Sequence, residues 1–324
     1  GGAGGAPGRP FPGSGARLMT RTALAIFAIL LVLPFLPLGA HAGYAMLLAT
    51  RVMILGLAAL SLDLLVGAGG LVSFGHAAFI GIGAYAVAVL DAADANEALY
   101  VVPVALAAAA AFALPTGAIA LRTRGVNYIM ITLAFAQMLF FAFGSLADYG
   151  GDDGYTLNAQ TSVLGHPLLA SQRGLYGVSF ALLLAATLLC RTLVASRFGR
   201  VLGGLRQHRA RMQAMGYDPV AVQLIATLIA GMLCALAGVL LANQAEFVSP
   251  AYAAWQRSGD LLIMVILGGV GSLHGAILGA AAVVLLEEGL SHLTEHWPLI
   301  YGPLLVLAVI FLRGGLAGIG GRRV

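Results

Sequence analysis

The chain has 324 residues, 60% of them apolar and 9% charged, with a mean hydropathy of +0.95 and a formal net charge of +4. Soluble domains carry about a quarter charged residues, so this composition excludes a soluble globular protein and describes a polytopic membrane protein forming one helical unit. All seventeen basic residues are arginines; without a lysine the chain lacks the phosphate-loop residue of an ATPase and any Schiff-base nucleophile, so energy from ATP has to arrive through a partner.

Residues 1–18 are rich in Gly, Pro and Ala and are expected to be a disordered extension, with Met19 an alternative start. Ala23 to Leu38 follows as a first span; its flanking arginines and the Ala40-His41-Ala42 run also resemble a secretory signal, and the many later spans favour a retained helix. Further spans are expected over Tyr44–Val66, Gly67–Leu90, Leu99–Leu121, Val126–Leu146, Leu175–Val194 and Val222–Ala245. Two shorter arms, Gly259–Gly271 and Gly275–Glu287, surround SLHG, and Pro298–Leu312 closes the series. The expected fold class is therefore an all-α polytopic membrane protein of about ten transmembrane helices, with short interrupted helices near the midplane and an internal duplication. Its permease domain covers 19–314 and a cytoplasmic tail 315–324. Cys190 and Cys234 sit singly in apolar runs and suit neither a disulfide framework nor a metal site.

With ten crossings and the N-terminus inside, fourteen of the seventeen arginines fall on the cytoplasmic side. Arg173 and Arg257 fall outside, and Arg51 lies within a span, where it is expected to snorkel outward. The spans are defined by hydropathy independently of these charges, so the positive-inside rule supports a topology with both termini cytoplasmic.

Two apolar stretches open on glycine clusters, GAGGLVSFGH from Gly67 and GGVGSLHG from Gly268. Small residues at Ser73, Ala77 and Gly81, and again at Gly271, Gly275 and Gly279, recur every four positions and on a helix form a stripe for close backbone approach. Gly70, Ser73, Gly75, His76, Gly81, Gly269, Gly271, Ser272 and Gly275 are the residues expected to line a path or pack helices there. His76 reads equally as a histidine hydrogen-bonded inside a bundle. Both stretches lead outward from the cytoplasmic side, as a parallel duplication requires. Asp63, in the second span, is costly in lipid and is expected to be partnered or close to an interface.

Three other clusters invite a functional reading. From Ser196 to Ala221 runs the one long arginine-rich segment, read as a lipid-surface or orientation signal or as a short helix seating Val201, Leu202 and Leu205 in a partner's groove. Glu288, His292 and His296 have helical spacing for metal ligation beside Glu295, but a solvated helix end is the better reading and no metal is assigned. Asp148, Asp152 and Asp153 lack the alternation of a calcium loop.

LSLDLLVGAGGLVSFGHAAFIGIGAY from Leu60, RTRGVNYIMITLAFAQML from Arg122, SRFGR from Ser196, AMGYD from Ala214, AGVLLANQAEFVSP from Ala237 and ILGGVGSLHGAILGA from Ile266 together resemble the permeases of branched-chain amino-acid ABC transporters. The SRFGR and RTRGVNY forms are more similar to the M-type inner-membrane subunit than to the H-type. The resemblance implies an importer in which this permease pairs with an H-type permease, two ATP-binding subunits dock on the cytoplasmic loops, and a periplasmic or lipid-anchored solute-binding protein delivers substrate. It implies that Arg197, Phe198, Gly199, Arg200, Arg206, Met215 and Gly216 couple the permease to the ATPase, in a multi-pass protein of the bacterial inner membrane that contacts lipid and no nucleic acid. No cofactor is implied. Where the family usually shows acidic residues, this chain has Gln207, His208, Arg209 and Arg211. Asp63 replaces a commoner asparagine. The rival readings are a permease for urea or another amino acid, a stand-alone secondary transporter, for which only Asp63 and Glu246 offer coupling charges, and a membrane enzyme or scaffold.

Overall fold

The computed structural model describes residues 15–32, 34, 42–163, 165–293, 296–311 and 315–319. In chain order their helices are α1 (Gly15–Val32), α2 (Ala42–Asp63), α3 (Ala77–Ala92), α4 (Ala98–Ala120), α5 (Val126–Gly144), α6 (Gln172–Ala195), α7 (Arg197–Ala214), α8 (Pro219–Ala245), α9 (Trp255–Gly268), α10 (Leu273–Ser291), α11 (Trp297–Phe311) and α12 (Gly315–Ile319). A π turn, Leu64–Ala68, prolongs α2. Two-residue strands β1 (Tyr155–Thr156) and β2 (Phe247–Val248) pair antiparallel, Tyr155 opposite Val248. The protein is an all-α polytopic membrane protein.

Six of the described helices are long and apolar enough to cross a bilayer: α2 with its π turn, α4, α5, α6, α8 and α10. The other expected crossings fall on shorter helices, 18 residues in α1, 16 in α3, 14 in α9 and 15 in α11, against the roughly 20 that a full crossing needs. The first helix starts at Gly15, so residues 15–18, expected to be irregular, are helical; residues 1–14 and the signal-like Ala40-His41 lie outside the described residues.

The bundle is built around α2 and α8, whose most apolar stretches are 78% and 61% buried, against 17–28% in α4, α5 and α6. The peripheral helices expose Met130, Met138, Phe141 and Leu188, faces suited to lipid or a second bundle. Buried hydroxyls and amides in the central helices are satisfied one turn back: Thr50 donates to the Met46 carbonyl, Thr227 to Gln223 and Asn243 to Val239.

The crossing of α3 with α8 is close. A Cβ on Gly83 would strike the Ala235 carbonyl oxygen, and one on Gly238 the Ile80 carbonyl oxygen. Two glycines facing opposite backbones let the helices touch main chain to main chain. Gly81, the expected packing position, instead faces Ala253 and Phe143.

The contacts define two ends of the bundle. At the acidic end, Arg51 of α2 pairs with Glu287 of α10 at 3.3 Å, and the Gln244 amide at the end of α8 donates to the Leu47 carbonyl at 2.9 Å. Arg51 is thus held by an ion pair instead of reaching out alone. Asp91 is a buried residue in the last turn of α3. Its carboxylate accepts from Asn96 Nδ2 (2.8 Å), Tyr155 OH (3.0 Å), Asn158 N (2.8 Å) and Ala159 N (3.1 Å), tying down the polar segment between α5 and α6. At the other end lie the end of α2, the glycine breaks and the arginine-rich α7.

Candidate functional site at two helix breaks

Neither glycine-rich stretch is a continuous helix. After the π turn, residues 69–76 run as irregular backbone until α3 begins at Ala77. The second break, from Gly269 to Ser272, separates α9 from α10, with φ of +111° at Gly269 and +83° at Gly271. A left-handed backbone of this kind costs an L side chain about 1–2 kcal/mol, so the glycine clusters make breaks where a helical stripe was expected. Ser73 and Gly271 consequently lie outside helices, and the four-residue stripes through them do not form. Gly275 and Gly279 of the second stripe are helical and press on α9: a Cβ on Gly275 would lie 2.6 Å from the Gly268 oxygen, and one on Gly279 would overlap the Met264 oxygen.

The two breaks meet. A Cβ on Gly67 would lie 2.5 Å from Gly271 Cα and 2.8 Å from Asp63 Oδ1. Asp63 is 1% exposed; its Oδ1 accepts the Gly271 N–H at 2.7 Å. Its Oδ2 is buried without a hydrogen-bond partner among the described residues. Unpaired helix-end groups in an apolar bundle need such a partner, and the sequence expectation that Asp63 is partnered is met by a backbone amide of the other break.

Around this junction each small or polar residue has a local task. Ser73 Oγ accepts from Gly75 N at 3.2 Å, and Ser272 Oγ donates to the Gly269 carbonyl at 2.6 Å. The Gly75 Cα lies against the Thr132 carbonyl of α5, and Phe74 N donates to Thr132 Oγ1 at 3.3 Å. His76 is fully buried. Ser61 Oγ lies 2.7 Å from the Ala58 carbonyl and 2.8 Å from His76 Nε2, within hydrogen-bond reach of both. His76 Nδ1 has no partner among the described residues. Ser258 of α9 accepts the first amide of α3, from Ala77, at 2.9 Å.

α7 closes this end. Ser196 caps it, its hydroxyl accepting from Gly199 N at 3.4 Å. The helix kinks at His208 (φ −146°, ψ 83°), which folds Met212 back over Gly204, where a Cβ would lie 2.8 Å from Met212 Sδ. Leu202 and Leu205, expected to seat in a partner's groove, are buried against this chain; Leu202 Cδ1 lies 3.6 Å from the position of a Gly69 Cβ. The apolar face is spent on attaching α7 to the first break, because an unpaired apolar face beside a glycine-opened groove is buried most cheaply there. Arg206 completes the attachment: it donates from NH1 to the Gly67 carbonyl, and its Cγ lies 2.7 Å from the position of a Cβ on Gly70, whose φ is +68°. The residues that remain exposed include Arg197, Arg200, Arg206, Gln207, His208, Arg211, Met215, Gly216 and Tyr217, while Phe198 is half-buried and Gly199 buried. Arg209 donates to Gln223 Oε1 at 3.3 Å; burial and the neighbouring Arg124 push its pKa down, against the opposing pull of Asp218.

The structure therefore joins Gly67, Gly70, Gly271 and Arg206 in one junction and leaves Gly81 and Met215–Gly216 apart from it. Asp63 and the Gly83–Gly238 crossing are the structural positions that the choice of site residues missed; the glycine at Gly238 lies inside a quoted motif and is the signal that marks it. At the acidic end, His292 Nε2 lies 3.4 Å from Glu288 Oε1, and Tyr44 donates to Glu288. No cluster of three metal-ligating side chains occurs among the described residues, and Glu295 lies outside them.

The sequence pattern of the family described as branched-chain amino acid transport system / permease component matches residues 44–313. The high-affinity branched-chain amino acid transport system permease protein LivM of Escherichia coli strain K12 is 28% identical over 294 residues, covering 83% of this chain and 69% of that protein. LivM of Salmonella typhimurium strain LT2 is 27% identical over 292 residues, with the same coverage of 83% and 69%. The permease protein LivH of Escherichia coli K12 is 27% identical over 144 residues, 44% of this chain and 45% of that protein. No solved structure matches the chain. With both breaks, α7 and the central pair α2 and α8 all inside the matched residues, the chain belongs to the branched-chain amino acid transport system permease family.

Proposed function

We propose that this chain is the M-type permease subunit of an ATP-driven importer for branched-chain amino acids, lying in the bacterial inner membrane. It pairs with an H-type permease to form the translocation path, receives solute from a binding protein, and relies on two ATP-binding partners because it has no lysine for a phosphate loop. The observation that carries the reading is the attachment of α7 to the junction of the two breaks through Arg206 and Gly67. An exposed arginine-rich surface is thereby fastened to the buried π turn that leads into the first helix break, the arrangement a partner-driven permease needs. In this reading residues 196–221 form the cytoplasmic coupling segment, the permease domain spans 19–314, and both termini are cytoplasmic. The two breaks descend from a parallel duplication: α3 and α10 both run from their break toward the acidic end. The packing around them has diverged, since α2 lies along α10 whereas α3 meets α9 mainly near Ser258.

The test is reconstitution with the second permease, both ATPases and the binding protein in proteoliposomes. ATP-dependent uptake of leucine, isoleucine or valine is expected, with none from this chain alone. Leucine uptake by the isolated chain on an ion gradient would sink the reading, and ATP-driven uptake of urea alone would move the substrate. A cysteine placed at Asp94 is expected to react with an impermeant reagent from the periplasm and one at Gln207 only from the cytoplasm; the reverse pattern overturns the orientation.

A further inference from the structure

A cavity of about 270 Å³ opens at the acidic end between α2, α3, α8 and α9. Drug-sized ligands occupy about 300–1,000 Å³, so this volume suits one small metabolite. Its inner wall is apolar, made by Leu55 and Ile80, both buried, and by Leu241. Its mouth carries Arg51 and Arg257 together with Gln244 and Tyr252.

The hydrogen-bonding state of these groups defines what they can take. The Arg257 guanidinium makes no hydrogen bond or ion pair among the described residues. Arg51 reaches Glu287 only at 3.3 and 3.4 Å through NH2, longer than the roughly 2.7–2.9 Å of a tight guanidinium–carboxylate bond, which leaves its other nitrogens available. Gln244 spends its amide N–H on the Leu47 carbonyl, so its Oε1 remains as an acceptor. Tyr252 donates to the Phe247 carbonyl at 3.2 Å. Glu287 pairs with Arg51 and Asp260 interacts electrostatically with Arg257, but neither acid lines the cavity, so the two arginines are the charged groups that face its contents. An arginine fork matches a carboxylate with two parallel bonds.

We propose that this cavity is a solute-binding site for a small carboxylate with an apolar tail: Arg257 and Arg51 hold the carboxylate, Gln244 Oε1 accepts from an α-ammonium group where one is present, and Leu55, Ile80 and Leu241 cover the tail. The site deepens the importer reading and rests on it for its place in transport, since it lies at the end opposite α7.

The test separates the two. Binding of 4-methylpentanoate, L-leucine and the uncharged 4-methylpentanamide is measured on the purified full chain in lipid nanodiscs, by thermal shift and by equilibrium binding of the labelled acids. Both acids are expected to bind and the amide to bind at least about tenfold more weakly, the scale of one charge-assisted bond. Arg257→Gln is expected to weaken acid binding at least about tenfold while shifting the melting temperature of the empty protein by no more than a few degrees, because that side chain loses no hydrogen bond or ion pair and only its electrostatic interaction with Asp260 and Tyr252. Leu241→Trp, which fills the cavity from its apolar wall, is expected to abolish binding of all three. Equal binding of acid and amide, no binding of either acid to the wild type, or acid binding indifferent to both substitutions overturns the site. If the acids bind as expected but the reconstituted complex takes up no leucine, the importer reading fails and the site stands.

Discussion

Asp63 Oδ1 accepts the backbone N–H of Gly271 at 2.7 Å across 208 positions of sequence. One carboxylate oxygen thus closes the second helix break from the end of α2, while its other oxygen is buried without a partner among the described residues. The carboxylate is present for its acceptor, and its charge is an expense.

That distinction makes a sharp pair of variants. Asp63→Asn keeps an acceptor oxygen for Gly271 and removes the charge, whose placement within a span costs about 2.5–3.5 kcal/mol on insertion scales. It is expected to melt at or above the wild-type temperature in detergent and to retain transport. Asp63→Leu strands the Gly271 N–H and is expected to lose about 1–3 kcal/mol. A wild-type melting curve for the leucine variant, followed by tryptophan fluorescence, would show that the bond does not hold the junction.

Arg206 joins α7 to the first break by its bond to Gly67. Its exposed position makes a folding role small, so Arg206→Gln is expected to leave the protein's melting temperature within a few degrees. In the reconstituted complex the same variant is expected to hydrolyse ATP at near wild-type rate while solute moved per ATP falls about tenfold, the scale of losing one charge-assisted bond. Parallel loss of hydrolysis and transport would point to assembly of the complex instead of the link between α7 and the breaks.

The α3–α8 crossing supplies a prediction about packing alone. Gly83→Ala and Gly238→Ala drive a methyl into the facing carbonyls of Ala235 and Ile80, and overpacking of a tight core costs about 1–3 kcal/mol. Gly177 and Gly289, also helical, have nothing within 4 Å of an added Cβ. Alanine there is expected to be neutral or to stabilise by up to about 1 kcal/mol, since glycine weakens a helix interior. Four melting curves decide it, and equal effects at all four sites would mean that α3 and α8 do not meet through glycine.

These particulars mark what the sequence could and could not tell. Long apolar runs gave the positions of α2, α4, α5, α6, α8 and α10, because length and hydropathy are local properties. The glycine clusters flagged the breaks, but reading them as stripes put Ser73 and Gly271 on helices; backbone satisfaction by Asp63 and by Ser258 comes from distant chain and lets irregular structure persist there. Leu202 and Leu205 looked available to a partner because amphipathicity does not say which surface lies opposite. The role of Asp91 is not local either, because its donors are 5 to 68 positions away in sequence.

Asp91 carries the last prediction. Its carboxylate gathers Asn96, Tyr155, Asn158 and Ala159, and the β1–β2 pair connects the same segment to the end of α8. Asp91→Ala removes every acceptor at once and strands two backbone amides, a loss of about 1–3 kcal/mol for each one left buried. The cost falls on the polar segment between α5 and α6, because α3 keeps its contacts with α8. Limited proteolysis is therefore expected to cut between 147 and 171 in the variant under conditions that leave the wild type intact, and amide exchange at Asn158 and Ala159 to accelerate at least about tenfold. Asp91→Asn keeps one acceptor oxygen for the two amides and is expected to fall between them. Protection unchanged in the alanine variant would show that β1 and β2, and not the carboxylate, hold this segment in place.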